Sequence, residues 1–177
     1  MDMVKNVILV GFMGTGKSSS GRMLATRLGC ALVDLDQYIE TKEGMTIPEI
    51  FRQKGEAHFR ALEHEAVAEV AQRKGVVIAT GGGTIKDPEN LRILRGCGVL
   101  ICLTADIDTI LARTERKGER PLLDKAEDRK QEIASLLESR REIYAQANHT
   151  VDTSQLSPML VTEEIMRILR REGVIRA

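Results

Sequence analysis

The chain carries no excess charge of either sign. Its 177 residues include 26 Lys plus Arg and 26 Asp plus Glu. There is thus no basic field to draw nucleic acid and no acidic tail to hold part of the chain disordered. Partners must be recognised by local arrangements of residues. Cysteine is scarce: Cys30, Cys97 and Cys102 are odd in number and form no C-x-x-C pair, which excludes a disulfide framework. With no signal peptide in Met1-Asp2-Met3-Val4-Lys5, a reducing cytoplasm is expected. All three cysteines read as small apolar fillers, Cys102 within Val99-Leu100-Ile101-Cys102-Leu103. No apolar run reaches membrane-spanning length, so no membrane partner is expected. No segment repeats and none is of low complexity. His58, His64 and His149 lack metal-ligand spacing and receive no role. At this length one domain, spanning 1–177, is expected.

What the chain does have is Gly11-Phe12-Met13-Gly14-Thr15-Gly16-Lys17-Ser18, which fits G-x-x-x-x-G-K-[ST] without a mismatch between the apolar run Val7-Ile8-Leu9-Val10 and a helix starting near Gly16. Gly14 and Gly16 let successive N–H groups converge on phosphate oxygens, and the following helix adds partial positive charge there. Lys17 would reach the β- and γ-phosphates of a nucleotide and the Ser18 hydroxyl would ligate Mg²⁺.

Continuous apolar runs recur at Ala31-Leu32-Val33, Val76-Val77-Ile78-Ala79 and Val99 to Leu103, with a weaker one around Thr150-Val151, the pattern of strands buried on both faces of a parallel sheet. Helical stretches lie between them. Lys17 to Leu28 presents Gly21, Leu24, Ala25 and Leu28 on one face and ends at Gly29. Glu56 to Arg73 carries a stripe of Phe59, Leu62, Ala66 and Val70, closed by Gly75. A helix is expected from about Asp128 to Ala147. Asp87-Pro88 and Ser157-Pro158 each read as an N-cap followed by proline at the first helical position, and the last helix is expected to bury Leu160, Val161, Ile165, Ile168 and Leu169. The fold class is α/β, a parallel sheet covered by helices on both faces, with ligands at the C-terminal ends of the strands.

Three segments follow strand ends and should open onto one crevice. In Val33-Asp34-Leu35-Asp36 the two acids, in an extended geometry, can both point towards the strand ends. Asp34 would serve Mg²⁺, and Asp36 would accept from a substrate hydroxyl and act as general base. The alternative is that Asp36 merely caps Gln37 to Thr41. Gly81-Gly82-Gly83 exposes bare N–H groups that suit close approach to a ligand, or else makes a tight turn. Arg60 and Glu63 lie one turn apart, either as a surface ion pair or as an arginine oriented to clamp a carboxylate. Arg113 to Leu123 breaks helical periodicity with dense charge and reads as a flap over the phosphate site, Arg120 beside Pro121 bringing charge to the transferring phosphoryl. Periodicity does not choose between Arg140 and Arg141 as the arginine that faces the crevice.

Together these pieces resemble shikimate kinase over nearly the whole chain. The resemblance rests on the phosphate loop, Val33-Asp34-Leu35-Asp36, Phe59-Arg60 with Glu63, the triple glycine, Arg120-Pro121-Leu122-Leu123, and Arg140 four residues before Tyr144. It implies a P-loop kinase of the nucleoside monophosphate kinase type, with a five-stranded parallel sheet sandwiched by helices. A lid is expected over about 114–126 and a substrate-binding helical segment over about 36–62. The implied activity is transfer of the ATP γ-phosphoryl to the 3-hydroxyl of shikimate, on the route to chorismate and the aromatic amino acids, by a cytoplasmic monomer that uses Mg²⁺.

Carried over residue by residue, Lys17, Asp36 and Arg120 are catalytic. Asp36, Arg60, Gly82, Gly83 and Arg140 bind shikimate. Gly14, Thr15, Gly16, Lys17, Ser18, Ser19, Arg113, Arg120 and Pro158 meet ATP, with Arg113 against the adenine and Pro158 as its opposite wall; Ser18 and Asp34 hold the metal. The resemblance selects Arg140 over Arg141. Where many members carry a basic residue after the last strand, this chain has Asp152-Thr153-Ser154-Gln155-Leu156, and Gln155 stands in through its amide or backbone. The rivals are another small-molecule kinase, for gluconate or a nucleoside monophosphate, and a nucleotide-dependent switch without catalysis.

Overall fold

The structure, a computed structural model, describes residues 2–115 and 123–176. The centre of the fold is strand β2 (Asn6–Val10), all five residues buried. It lies between β4 (Val77–Ala79) and β5 (Gly98–Thr104), with β3 (Leu32–Asp34) beyond β4 and β6 (His149–Asp152) beyond β5. Among the described residues these five strands form one sheet in the order β3-β4-β2-β5-β6, every pairing parallel. The strand ends at Val10, Asp34, Ala79, Thr104 and Asp152 therefore share one edge, as expected for consecutive crossover units.

Alternation along the strands divides the core in two. Val7 and Leu9 face helices α1 (Lys17–Leu28) and α8 (Pro158–Arg171), packing with Leu24, Leu28, Val161, Ile165 and Leu169. Ile8 and Val10 face α2 (Leu35–Glu43), α3 (Ile47–Lys54), α4 (Glu56–Val70) and α5 (Pro88–Cys97), meeting Leu35, Ile39, Ile50, Phe59, Val67 and Leu94. Each of these buried apolar side chains contributes about 1.5–3 kcal/mol of transfer free energy, which dominates any helix propensity here. Among the described residues the remaining α-helices are α6 (Ile107–Glu115) and α7 (Leu123–Tyr144). Phe12, Ile110 and Ile133 form a third, small cluster where α6 and α7 meet the phosphate loop.

The capping signals operate as their chemistry dictates. Asp87 and Ser157 accept from Glu89 N and Leu160 N, each with proline at the first helical position, and Gly29 closes α1 with φ 66°. Three expectations are corrected. Leu160 is 48% exposed and Met166 is buried instead, because the inward stripe of α8 runs Val161, Ile165, Ile168, Leu169 and Leu160 precedes it by about 100° of helical turn. The helix expected over Glu56 to Arg73 ends at Val70; the one expected over Asp128 to Ala147 spans Leu123–Tyr144. Within the helical segment expected over about 36–62, α3 is opened by a capping box in which Thr46 and Glu49 bond reciprocally. Elements not expected are α6, whose last turn takes in Arg113 and Thr114 at the start of the expected flap, a 3-10 turn at Thr84–Lys86, and a two-stranded antiparallel sheet of β1 (Asp2–Met3) and β7 (Ile175–Arg176). Among the described residues no helix is long and apolar enough to cross a membrane.

Candidate active site

The phosphate loop fills the turn between β2 and α1. Gly11, at φ 143°, sits so near β5 that a Cβ there would lie 2.3 Å from the Leu103 carbonyl oxygen. Gly14 and Gly16, at φ 75° and 92°, take conformations other side chains rarely adopt. The Lys17 ammonium folds back into the loop and donates to the carbonyls of Gly11 and Phe12 at 2.7 and 2.8 Å. Burial lowers its pKa to about 8 against the opposing pull of Asp36, Cys102 and Asp34, with Arg140 lowering it further. A buried cation that donates to backbone carbonyls and lines a cleft of about 400 Å³ could exchange those carbonyls for anionic oxygens.

Ser18 and Asp34 meet beside it. The Ser18 hydroxyl donates to Asp34 Oδ2 at 2.8 Å, and Asp34 is the N-cap of α2, its Oδ1 accepting from Gln37 N at 3.2 Å. This corrects two expectations about the paired acids. The backbone turns helical at Leu35, so Asp36 stands in the first turn of α2 instead of continuing an extended run, and the cap is Asp34, not Asp36. Freed from capping, Asp36 turns into the cleft. Burial, then the neighbouring charges of Asp34 and Glu63, push its pKa up to about 6, with Lys17 pulling the other way.

The loop after β4 collects the remaining groups. A Cβ on Gly81 would lie 2.8 Å from Asp36 Oδ1, and one on Gly83 would lie 3.0 Å from both terminal nitrogens of Arg60. Arg60 donates to Glu63 Oε1 at 2.8 Å, and its guanidinium lies over the Phe59 ring. Glu63 is 2% exposed and its other oxygen accepts from Thr84 Oγ1 at 2.9 Å. The pair is therefore a buried anchor with one exposed arm, not a surface ion pair. Arg140 comes in from α7, donating to the Gly82 carbonyl at 2.8 Å and lying 5.2 Å over the Phe12 ring. Its Nε is buried without a partner among the described residues. Arg141 is exposed and reaches Glu138 on the outer face, so the helix itself makes the choice that periodicity leaves open.

At the far end of the cleft Arg113 donates to the carbonyl of Gly14 at 3.1 Å and to Thr153 Oγ1 and O at 3.0 and 2.8 Å. Pro158 and Leu156 complete that end; Gln155 is exposed and outside the lining, whereas Ser19 lies within it. Arg120, and with it most of the expected lid, lies outside the described residues. Sequence reasoning missed Thr153, whose buried hydroxyl accepts from Arg113 and has the carbonyls of Thr15 and Thr104 both at 3.0 Å to share its single hydrogen, and Tyr144, whose hydroxyl donates to the Gly82 carbonyl at 2.9 Å. Thr153 directly follows a strand end, the one signal that could have marked it.

The shikimate kinase family model matches residues 13–170. A shikimate kinase from Geobacter metallireducens is 48% identical over 163 residues, 92% of this chain and 90% of that protein. The structure of shikimate kinase from Acinetobacter baumannii in complex with shikimate superposes with a TM-score of 0.87 at 37% identity, covering 95% of this chain and 94% of the other. A gluconokinase from Sinorhizobium meliloti, 16% identical over 97% of this chain and 94% of its own, reaches a TM-score of 0.58 and shares the fold alone. A phosphate loop, a cleft with a raised carboxyl, two arginines against the glycine loop beside it, and a match over nearly the full chain agree: the protein belongs to the shikimate kinase family.

Proposed function

We propose that this chain transfers the γ-phosphoryl of ATP to the 3-hydroxyl of shikimate, giving shikimate 3-phosphate and ADP. The observation that carries the reading is convergence: Lys17 of the phosphate loop lies within electrostatic reach of Asp36 and Arg140, and along one loop Asp36 borders Gly81, Arg140 borders Gly82 and Arg60 borders Gly83. An anionic alcohol and a triphosphate would thus meet in one mouth.

In this reading Arg60 and Arg140 grip the substrate carboxylate, Arg140 offering its unpartnered Nε, while a Gly82 or Gly83 N–H donates to the ligand. Asp36 accepts the 3-hydroxyl and takes its proton as the oxygen bonds to the γ-phosphorus and the bond to the ADP oxygen breaks. With a pKa near 6 it is mostly ionised at neutral pH yet basic enough to receive that proton. Lys17 and Arg120 stabilise charge on the phosphoryl oxygens. Gly14, Thr15, Gly16 and Ser19 line the phosphates, Arg113 and Pro158 hold the adenine, and Gln155 supplies a peripheral contact.

Ser18 and Asp34 fit a magnesium ion. They place a hydroxyl and a carboxylate oxygen together at the loop, and among the described residues no cluster of three or more His, Cys, Asp or Glu could hold a metal alone. Mg²⁺ favours such an arrangement of one or two protein oxygens completed by phosphates and water. When bound, it neutralises charge on the β- and γ-phosphates. The same reading carries a monomeric, cytoplasmic enzyme, consistent with three free thiols.

A coupled ADP-release assay tests the proposal. Shikimate should support turnover and gluconate and AMP should not; folded protein that releases no ADP above background with shikimate, or prefers either rival, would refute it.

A further inference from the structure

Two donors share one acceptor in the wall of the cleft. The Gly82 carbonyl accepts from Arg140 at 2.8 Å and from the Tyr144 hydroxyl at 2.9 Å. The two residues stand one turn apart on α7 and are neighbours of each other as well. Their situations differ. Arg140 keeps a buried Nε without a partner and so has donors to give away. Tyr144 has a single hydroxyl hydrogen, and Gly82 holds it. Its ring is fixed, packing against the core around Ile8 and Val10 on one side and the Phe12 cluster on the other.

Resting on the reading of the cleft as a shikimate site, we propose that Tyr144 is a positioning residue for the substrate. Its hydroxyl keeps the Gly82 carbonyl satisfied and the Gly81–Gly83 backbone in place while Arg140 turns from that carbonyl to the substrate carboxylate. The division of labour follows from the cost of leaving a part-buried carbonyl without a donor once a ligand fills the cleft and excludes water. With Arg140 as its sole donor, every engagement of the substrate would strip Gly82 of its partner; with Tyr144 present the exchange leaves no acceptor unmet. Burial pushes the Tyr144 phenol up, outweighing the opposing Arg140, so it remains a donor at neutral pH. The proposal concerns ground-state binding and leaves proton transfer to Asp36.

Tyr144→Phe removes one hydrogen bond and keeps the ring. The expected result is shikimate affinity weakened about three- to tenfold by calorimetry, the effect of one neutral hydrogen bond, with affinity for a non-hydrolysable ATP analogue within about twofold of wild type and Tm nearly unchanged. Shikimate affinity equal to wild type, or parallel loss of both ligands, would overturn it. A crystal structure of the wild-type protein with shikimate gives a second reading that needs no variant: Tyr144 Oη still bonded to the Gly82 carbonyl supports the inference, and Tyr144 displaced from it overturns it. Wild-type protein that binds no shikimate would remove the functional reading together with the inference; wild type that binds it no better than Tyr144→Phe removes the inference alone.

Discussion

The raised pKa of Asp36 makes the pH dependence of this enzyme a quantitative test. An ordinary aspartate with a pKa of 3.8 would be more than nine-tenths ionised at pH 5, whereas Asp36, at about 6, would be about nine-tenths ionised at pH 7 and only about one-tenth at pH 5. If its carboxylate takes the hydroxyl proton, kcat/KM for shikimate should fall about tenfold between its plateau and pH 5. It should bend near pH 6 and lose about a factor of ten per unit below that. Lys17, at about 8, sets the opposite limb: kcat/KM for ATP should decline above about pH 8 as the ammonium loses its proton.

Stability should move the other way. Because the folded pKa of Asp36 is raised, its contribution to stability is present in full below about pH 3.8 and is lost as pH rises through about 6. Asp36→Asn should therefore raise Tm at pH 7. The carboxyl is partly exposed, so after allowance for solvent screening the gain is about 1–2 kcal/mol, or about 3–6 °C for a chain of this size. The same variant should lower kcat by about 10² or more, the usual contribution of general-base catalysis, and bind an ATP analogue normally. Stopped assays across pH 4.5–9 in constant-ionic-strength buffer, with calorimetric melting of both proteins, decide the matter. An acid limb near pH 4, or a variant that keeps its turnover, would refute the argument.

Two further outcomes follow from the same contacts. Gly81→Ala would bring a methyl to 2.8 Å from Asp36 Oδ1; kcat with shikimate should drop more than tenfold while nucleotide-analogue binding, read by calorimetry, stays near wild type. Thr153→Val removes the hydroxyl shared by Thr15, Thr104 and Arg113, and should raise KM for ATP severalfold and lower stability by about 1–3 kcal/mol in urea melts, with KM for shikimate little changed.

The central architecture was readable because it depends on local rules. Val7 to Val10 is buried on both faces by physical necessity once it lies mid-sheet, and the phosphate-loop glycines occupy conformations that other residues avoid. Gly16-Lys17-Ser18 thus announced both a turn and a chemistry. What stayed illegible depends on distant packing. The spacing of Arg60 and Glu63 is the same for a solvated ion pair and a buried anchor, and only Thr84, contributed by another segment, distinguishes them. Asp34 took the capping position that the alternative reading gave to Asp36 because the helix begins at Leu35, two residues before Gln37, and both acids still line the cleft. Thr153 and Tyr144 acquire their partners across 138 and 62 residues of chain, a separation that periodicity does not register. Helix α3 was available in principle, since Thr46-Ile47-Pro48-Glu49 spells a capping box with proline inside its first turn.

In the proposed function a nucleotide and a carboxylate-bearing alcohol occupy one cleft side by side. Calorimetric titration of shikimate into protein saturated with a non-hydrolysable ATP analogue tests it most directly. One-to-one binding without release of the nucleotide is expected, weakened at least tenfold by Arg60→Ala while the analogue still binds normally. Shikimate that produces no binding heat, or that expels the analogue as it binds, would contradict it.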